Sequence, residues 1–218
     1  MITFKDIQTN REINIYIEQA DAAMRAIGYT EHSFAHVNKT AQRAAHILKT
    51  LSFPDRTVEL ARIAGYMHDI GNAINRHDHA HSGALMAFHI LNGLGVAPDE
   101  IAVIIGAIGI HDEATGAPIN DVAAALILAD KGDVRRSRVR EPNRADADIH
   151  DRVNYAVEDT SLEIDVERMT LALRLSIDTT QCAVMDYFEI FLGRMLLCRR
   201  AAEFLRLHFR LIINDVAL

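Results

Sequence analysis

Through the first two thirds of the chain, apolar residues recur every three or four positions, the period of an amphipathic helix. NREINIYIEQADAAMRAIGY carries that period and stops near Gly28, and HVNKTAQRAAHILKTLSF follows until Pro54 breaks it. DRTVELARIAGYMHDIG opens on Asp55 as an N-cap and closes at Gly71. HAHSGALMAFHILNGLG comes next, then PDEIAVIIGAIGIHDE, which starts on Pro98 and two acids, and then INDVAAALILADKGDV. The pattern changes near residue 141. EPNRADAD is polar and turn-like, and it marks the expected boundary between a helical domain, 1–140, and a C-terminal extension, 141–218. In SLEIDVE, Leu162, Ile164 and Val166 alternate with Glu163, Asp165 and Glu167; in MTLALRLSI, Met169, Leu171, Leu173, Leu175 and Ile177 share one face. These predict two strands joined by a tight turn. CAVMDYFEIFLGRMLLCRRAAEFL predicts a long helix, apolar on most sides and therefore largely buried, and HFRLIIND a last strand. The expected fold is mostly α: a helical bundle followed by a small α+β unit with a short antiparallel sheet.

The same periodicity places polar groups where only apolar ones are expected. His36, Thr40, Ala44, Ile47 and Leu51 form one stripe; Leu60, Ala64 and His68 form another, with Met67 beside them. Ile104, Ile108 and His111 line up, as do Val122, Leu126, Ala129 and Asp130. An ionised carboxylate in an apolar site must find a partner or protonate. A divalent cation would satisfy the histidines and carboxylates together, because neutral imidazoles and ionised carboxylates are its ordinary ligands. The alternative for each residue alone is a hydrogen-bonded core histidine, or an Asp130 paired with Lys131.

Composition narrows the class. The 218 residues are 50% hydrophobic, enough for one sizeable core, and the net charge of -7 argues against a general nucleic-acid binder. Cys182 and Cys198 suggest buried reduced thiols rather than a disulfide framework. The N-terminus MITFKDIQTNREIN is polar, and the longest apolar run, IAVIIGAIGI, falls short of the ~20 residues that span a bilayer. A cytoplasmic protein without membrane contact is expected. Against the acidic balance, KGDVRRSRVREPNR crowds Lys131, Arg135, Arg136, Arg138, Arg140 and Arg144 into one stretch. Guanidinium groups match phosphate oxygens in pairs, so this stretch suggests a phosphate-bearing substrate, unless it is a solvated basic face.

The order His36, His68-Asp69, Asp130 resembles the H…HD…D signature of the HD-domain metal-dependent phosphohydrolases over roughly residues 32 to 135. HVNKTAQRAAHIL resembles the family's first-ligand helix, MHDIGN its His-Asp step and ADKGD its closing Asp. HAHSGA resembles the H-x-x-x-G-A element of members with a second metal, with His79 in the His position. IGIHDE resembles their HHE element with Ile110 in place of one His, leaving His111. HDIGN has Asn72 where the cyclic-dinucleotide subclass has Lys, and no G-Y-P follows His111, which disfavours that substrate.

The resemblance implies a metal held by His36, His68, Asp69 and Asp130, with His79 and His111 serving a second metal or the substrate phosphate. The implied ion is one or two of Mn, Fe, Mg, Ni, Co or Zn per chain. The implied reaction cleaves a phosphate ester of a nucleotide or other small molecule through an activated water. Asp69 would orient that water, and His79 or His111 would protonate the leaving oxygen. Asn72, Arg76, Lys131, Arg135 and Arg138 are the expected substrate-binding residues, and His32, His77 and His81 possible pocket neighbours. A homo-oligomer is expected. Two other readings stand beside this one: an HD-fold diiron oxygenase, and a non-catalytic sensor or dimerisation module.

Overall fold

The computed structural model describes residues 1–140 and 149–218. The boundary segment EPNRADAD, with Arg144, lies outside the described residues. A short helix, α1 Phe4–Gln8, precedes the expected ones, and each of the six helical stretches becomes a helix: α2 Arg11–Ala26, α3 Phe34–Thr50, α4 Asp55–Met67, α5 His79–Gly93, α6 Pro98–Gly109 and α7 Asp121–Lys131. Capping sets several of their starts. Asn10, Ser33 and Asn120 each accept backbone N–H groups of the first turn through their side chains. Helix α4 differs from expectation: Pro54 holds the N-cap position and Asp55 makes no capping hydrogen bond. The short α1 carries a reciprocal cap between Thr3 and Asp6 that its apolar pattern did not announce.

Helix α7 is the centre of the molecule. Every residue from Val122 to Lys131 is buried, and α3, α4, α6 and α9 surround it. Its alanines let those neighbours approach closely. A helix enclosed on all sides has no solvent face, so Asp130 and Lys131 at its C-terminal end are carried into the interior.

The C-terminal unit runs α8 Ile149–Ala156, β1 Val157–Asp165, β2 Thr170–Ile177, α9 Val184–Phe204, β3 His208–Ile213 and β4 Val216–Ala217, in a sheet of order β1-β2-β3-β4. Leu171, Leu173, Leu175 and Ile177 are buried as the alternation predicted. Val166 and Met169 are not; the chain turns between β1 and β2, with Met169 at φ +50°, and both side chains are exposed. The sheet is mixed rather than antiparallel. Helix α9 carries the chain back across the sheet, so β3 enters alongside β2 in the same direction. Helix α9 is also less buried than expected: Tyr187, Phe191, Met195 and Cys198 face inward, whereas Met185, Leu192 and Leu196 form an exposed stripe. Its inward face packs on α7 and β3, and one hydrophobic core runs through both parts of the chain. Both cysteines are free and buried. Among the described residues no helix is long and apolar enough to cross a membrane.

Candidate metal centre

The His68-Asp69 step sits at a break between two helices. α4 ends at Met67, and a 3-10 turn, Ile70–Ala73, begins immediately after Asp69. Adjacent residues of a continuous α-helix point about 100° apart. Here Asp69 adopts φ -97°, ψ 0°, which turns its carboxylate beside the His68 ring. Two glycines hold the break against its neighbours. A Cβ on Gly71 would stand 2.0 Å from the His79 carbonyl oxygen and 2.4 Å from the Gly83 nitrogen, so α5 rests directly on the turn. A Cβ on Gly65 would come within 2.7 Å of the Ala41 Cα, where α4 crosses α3.

Around this break the four expected ligands converge. His36 Nε2 lies 3.5 Å from Asp69 Oδ2 and 3.3 Å from Asp130 Oδ1; His68 Nε2 lies 3.3 Å and 3.6 Å from the same two oxygens. Each ring is held by its other nitrogen. His36 Nδ1 donates to Asp133 Oδ2 at 2.9 Å, and His68 Nδ1 donates to the Gly65 carbonyl at 2.9 Å. With the proton on Nδ1, each Nε2 presents a lone pair to carboxylate oxygens. Both Nε2 atoms are buried without a hydrogen-bond partner. Four electron-rich atoms facing one another in the interior are satisfied by a cation, and this donor set fits a divalent one. Two overlapping triads, His36–His68–Asp130 and His68–Asp69–His111, have ligand atoms close enough for an ion.

The second histidine pair repeats the arrangement. His79 Nδ1 donates to the Arg76 carbonyl at 3.1 Å and His111 Nδ1 to the Ile108 carbonyl at 2.6 Å, which leaves their Nε2 atoms facing each other at 3.2 Å. His79 Nε2 is also 3.6 Å from Asp69 Oδ1, so Asp69 serves both pairs. His32 follows suit, with Nδ1 tied to the Thr30 carbonyl at 2.7 Å and its ring on the wall of the same chamber.

Electrostatics keep the centre ready for a cation. Burial pushes His32, His79 and His111 below the usual imidazole range, which leaves them neutral. Burial acts the same way on His68, but Asp69 and Asp130 outweigh it and raise this ring to about 10, so proton and metal compete for one place. Burial works to raise Asp69 and Asp130. The charge of His68 on Asp69, and of Lys131 on Asp130, reverses this and holds both carboxyls well below their ordinary value.

The expected substrate residues divide. Arg76, Lys131 and Arg138 line the chamber over the ligands together with His32, Asp69, His79, His111 and Asp130. The helix does not continue past Lys131; Arg138 arrives instead through a 3-10 turn, Arg136–Arg138. Arg135 is off the chamber lining and pairs with Glu31 and Asp133, and Arg140 pairs with Asp21. Asn72 donates to Asp69 Oδ1 at 2.9 Å and so orients a ligand. His77 and His81 are exposed. Three residues escaped the sequence reading. Asp133 carried a signal, a second acid within ADKGD. Glu113 and Arg194 carried none, because their role depends on where α9 packs.

The HD domain model matches residues 31–135 of this chain. The uncharacterized protein MJ1020 of Methanocaldococcus jannaschii is 25% identical over 163 residues, covering 64% of this chain and 62% of its own length. The chain thus spans somewhat less than two thirds of that relative. The matched stretch contains all four candidate ligands and the second histidine pair, and residues 31–135 of this chain belong to the HD-domain superfamily.

Proposed function

We propose that the chain is a metal-dependent phosphohydrolase that cleaves a small phosphate ester. The observation that carries this reading is the set of imidazoles whose Nδ1 atoms are bound to the protein and whose Nε2 atoms meet the Asp69 and Asp130 carboxylates in one chamber. His36, His68, Asp69 and Asp130 would hold the cation, with His79 and His111 available for a second. A bound divalent cation supplies Lewis acidity toward a phosphoryl oxygen and makes a water molecule acidic near neutral pH. Asp69 bridges the two histidine pairs, the position from which a carboxylate orients the attacking water and takes its proton. His79 and His111 carry their proton at Nδ1 and present Nε2 lone pairs to the chamber; the proton that Asp69 takes from the water would pass to His79 Nε2, 3.6 Å from Asp69 Oδ1, or on to His111 Nε2, and from that imidazolium to the leaving oxygen. Arg76, Lys131 and Arg138 supply positive charge for the phosphate.

The test is a screen of phosphomonoesters and phosphodiesters with Mn, Fe, Mg, Ni, Co and Zn, run beside Asp69→Ala. Wild type is expected to hydrolyse at least one ester, and the variant to lose metal and activity together. Equal activity in both would remove Asp69 from the mechanism. Metal retained by wild type with no turnover of any ester would favour the sensor reading instead.

A further inference from the structure

The metal ligands enclose only part of the chamber. Four cations complete its wall: Arg76, Lys131, Arg138 and Arg194. Arg194 differs from the others in origin, because it stands on α9, beyond the stretch that matches the HD model. Its guanidinium is fixed from two sides. The Cζ atom lies 4.6 Å over the Phe191 ring, and Nε donates to Glu113 Oε1 at 3.0 Å. Glu113 Oε2 then meets Lys131 Nζ at 2.7 Å, and the same ammonium reaches Asp130 Oδ2 at 2.9 Å. The terminal nitrogens of Arg194 make no hydrogen bond among the described residues. Arg194 lines both the small chamber and a cavity of about 330 Å³, and His32, Arg76 and Arg138 are likewise common to the two.

Ion pairs within 4 Å among the described residues hold Lys131 and Arg194 but not Arg76 or Arg138. Arg138 is buried, yet its Nε and Nη1 donate to the Glu31 and Asp133 carbonyls, which carry no net charge. Arg76 donates to the Asn72 amide oxygen and to His79 Nε2. Among the described residues, the one carboxylate paired with Arg194 is Glu113, which it shares with Lys131. A buried guanidinium bonded, among the described residues, only to neutral oxygens, as Arg138 is, is costly, and a multiply charged oxyanion at the junction would give Arg138, Arg76 and Arg194 a common partner.

We propose that Arg194 binds the substrate phosphate, so that the C-terminal helix forms one wall of the site and takes part in choosing which phosphoester enters. The choice of substrate rests on the phosphohydrolase reading; the contact between Arg194 and phosphate does not. The stacking on Phe191 and the Glu113 bond pre-orient the fork, so little rotamer freedom remains to be lost when the anion arrives.

The experiment titrates the metal-loaded full-length chain with inorganic phosphate by calorimetry, for wild type, Arg194→Gln and Arg194→Lys, with metal content measured in each sample. Hydrolysis of p-nitrophenyl phosphate is followed in parallel. In Arg194→Gln, phosphate affinity is expected to fall and KM to rise about tenfold or more, through loss of charge-assisted hydrogen bonds, at unchanged metal content. Arg194→Lys keeps the charge without the fork and recovers part of the loss. Wild-type phosphate affinity and KM in Arg194→Gln would overturn the assignment, as would weakening that follows lost metal, or no phosphate binding by wild type. If Arg194→Gln does not fold, the Lys variant decides, and affinity equal to wild type overturns it. Phosphate binding in the expected order, but no ester turned over by wild type, would sink the phosphohydrolase reading and leave the Arg194 contact standing.

Discussion

His36 Nδ1 stands 2.9 Å from Asp133 Oδ2, and both side chains are sealed from solvent. The carboxylate fixes the ring's tautomer and turns Nε2 to the metal centre. Asp133 is itself restrained by Lys39 Nζ at 2.9 Å and Arg135 Nε at 3.2 Å. Burial works to raise the Asp133 carboxyl, but the His36 hydrogen bond and the nearby Arg138 and Arg135 hold it well below the ordinary range. Asp133→Ala is expected to weaken metal affinity about 10- to 100-fold, the usual effect of losing such a support. Metal titration of the variant checks this; unchanged affinity would make Asp133 a partner of the basic cluster only.

Removing the ion should cost stability as well as activity. A ligand that binds only the folded state stabilises it by ~2.7 kcal/mol at a concentration 100 times its Kd. A chelator is therefore expected to lower the Tm of wild type by several degrees, and to leave the Tm of His36→Ala nearly unmoved. Thermal melts with and without chelator make the comparison.

Gly71 tests the packing behind the site. A Cβ there would overlap the backbone of α5 at His79 and Gly83, and backbone cannot move aside as a side chain tip does. Gly71→Ala is expected to destabilise by about 3 kcal/mol or more. It also separates the 3-10 turn from α5, so metal binding falls in whatever protein remains folded. Denaturant unfolding beside metal analysis would show both; an unfolding midpoint like that of wild type would refute the close approach.

Acid stability has a traceable source at Asp21, which accepts from Arg140 Nη2 at 2.5 Å and from the His32 backbone at 2.8 Å. Burial raises this carboxyl, but Arg140 and the His32 N–H outweigh it and hold it below the usual aspartate range in the folded state. A carboxyl depressed on folding contributes stability that is complete above the unfolded value and disappears as pH falls through the folded one. The Tm of wild type is thus expected to fall between pH 5 and pH 3 more steeply than that of Arg140→Gln, as melts across that range would register; parallel curves would count against it.

Helical periodicity picked out the side chains that converge because burial and polarity coincide there. His36, His68, His111 and Asp130 stand on apolar stripes, and a polar group on such a stripe is conspicuous. The sheet was legible as far as alternation reaches, through Leu171 to Ile177. It could not show that β3 pairs parallel with β2, since direction is set by the crossover and not by the strand's own residues. Arg135 and Arg138 were both expected at the substrate, and only the 3-10 turn separates Arg138 in the chamber from Arg135, which binds Glu31 and Asp133. Arg194 was illegible for the same reason: nothing within α9 distinguishes an arginine over a chamber from one in water.

Helix α9 covers α7 and brings Arg194 to the ligands, while α2 packs beside the 3-10 turn that follows Asp69. A fragment trimmed to the borders of the matched domain would retain all four candidate ligands and still have lost its roof and one buttress. The smallest piece that can be excised intact is therefore larger than the motif by which it is recognised.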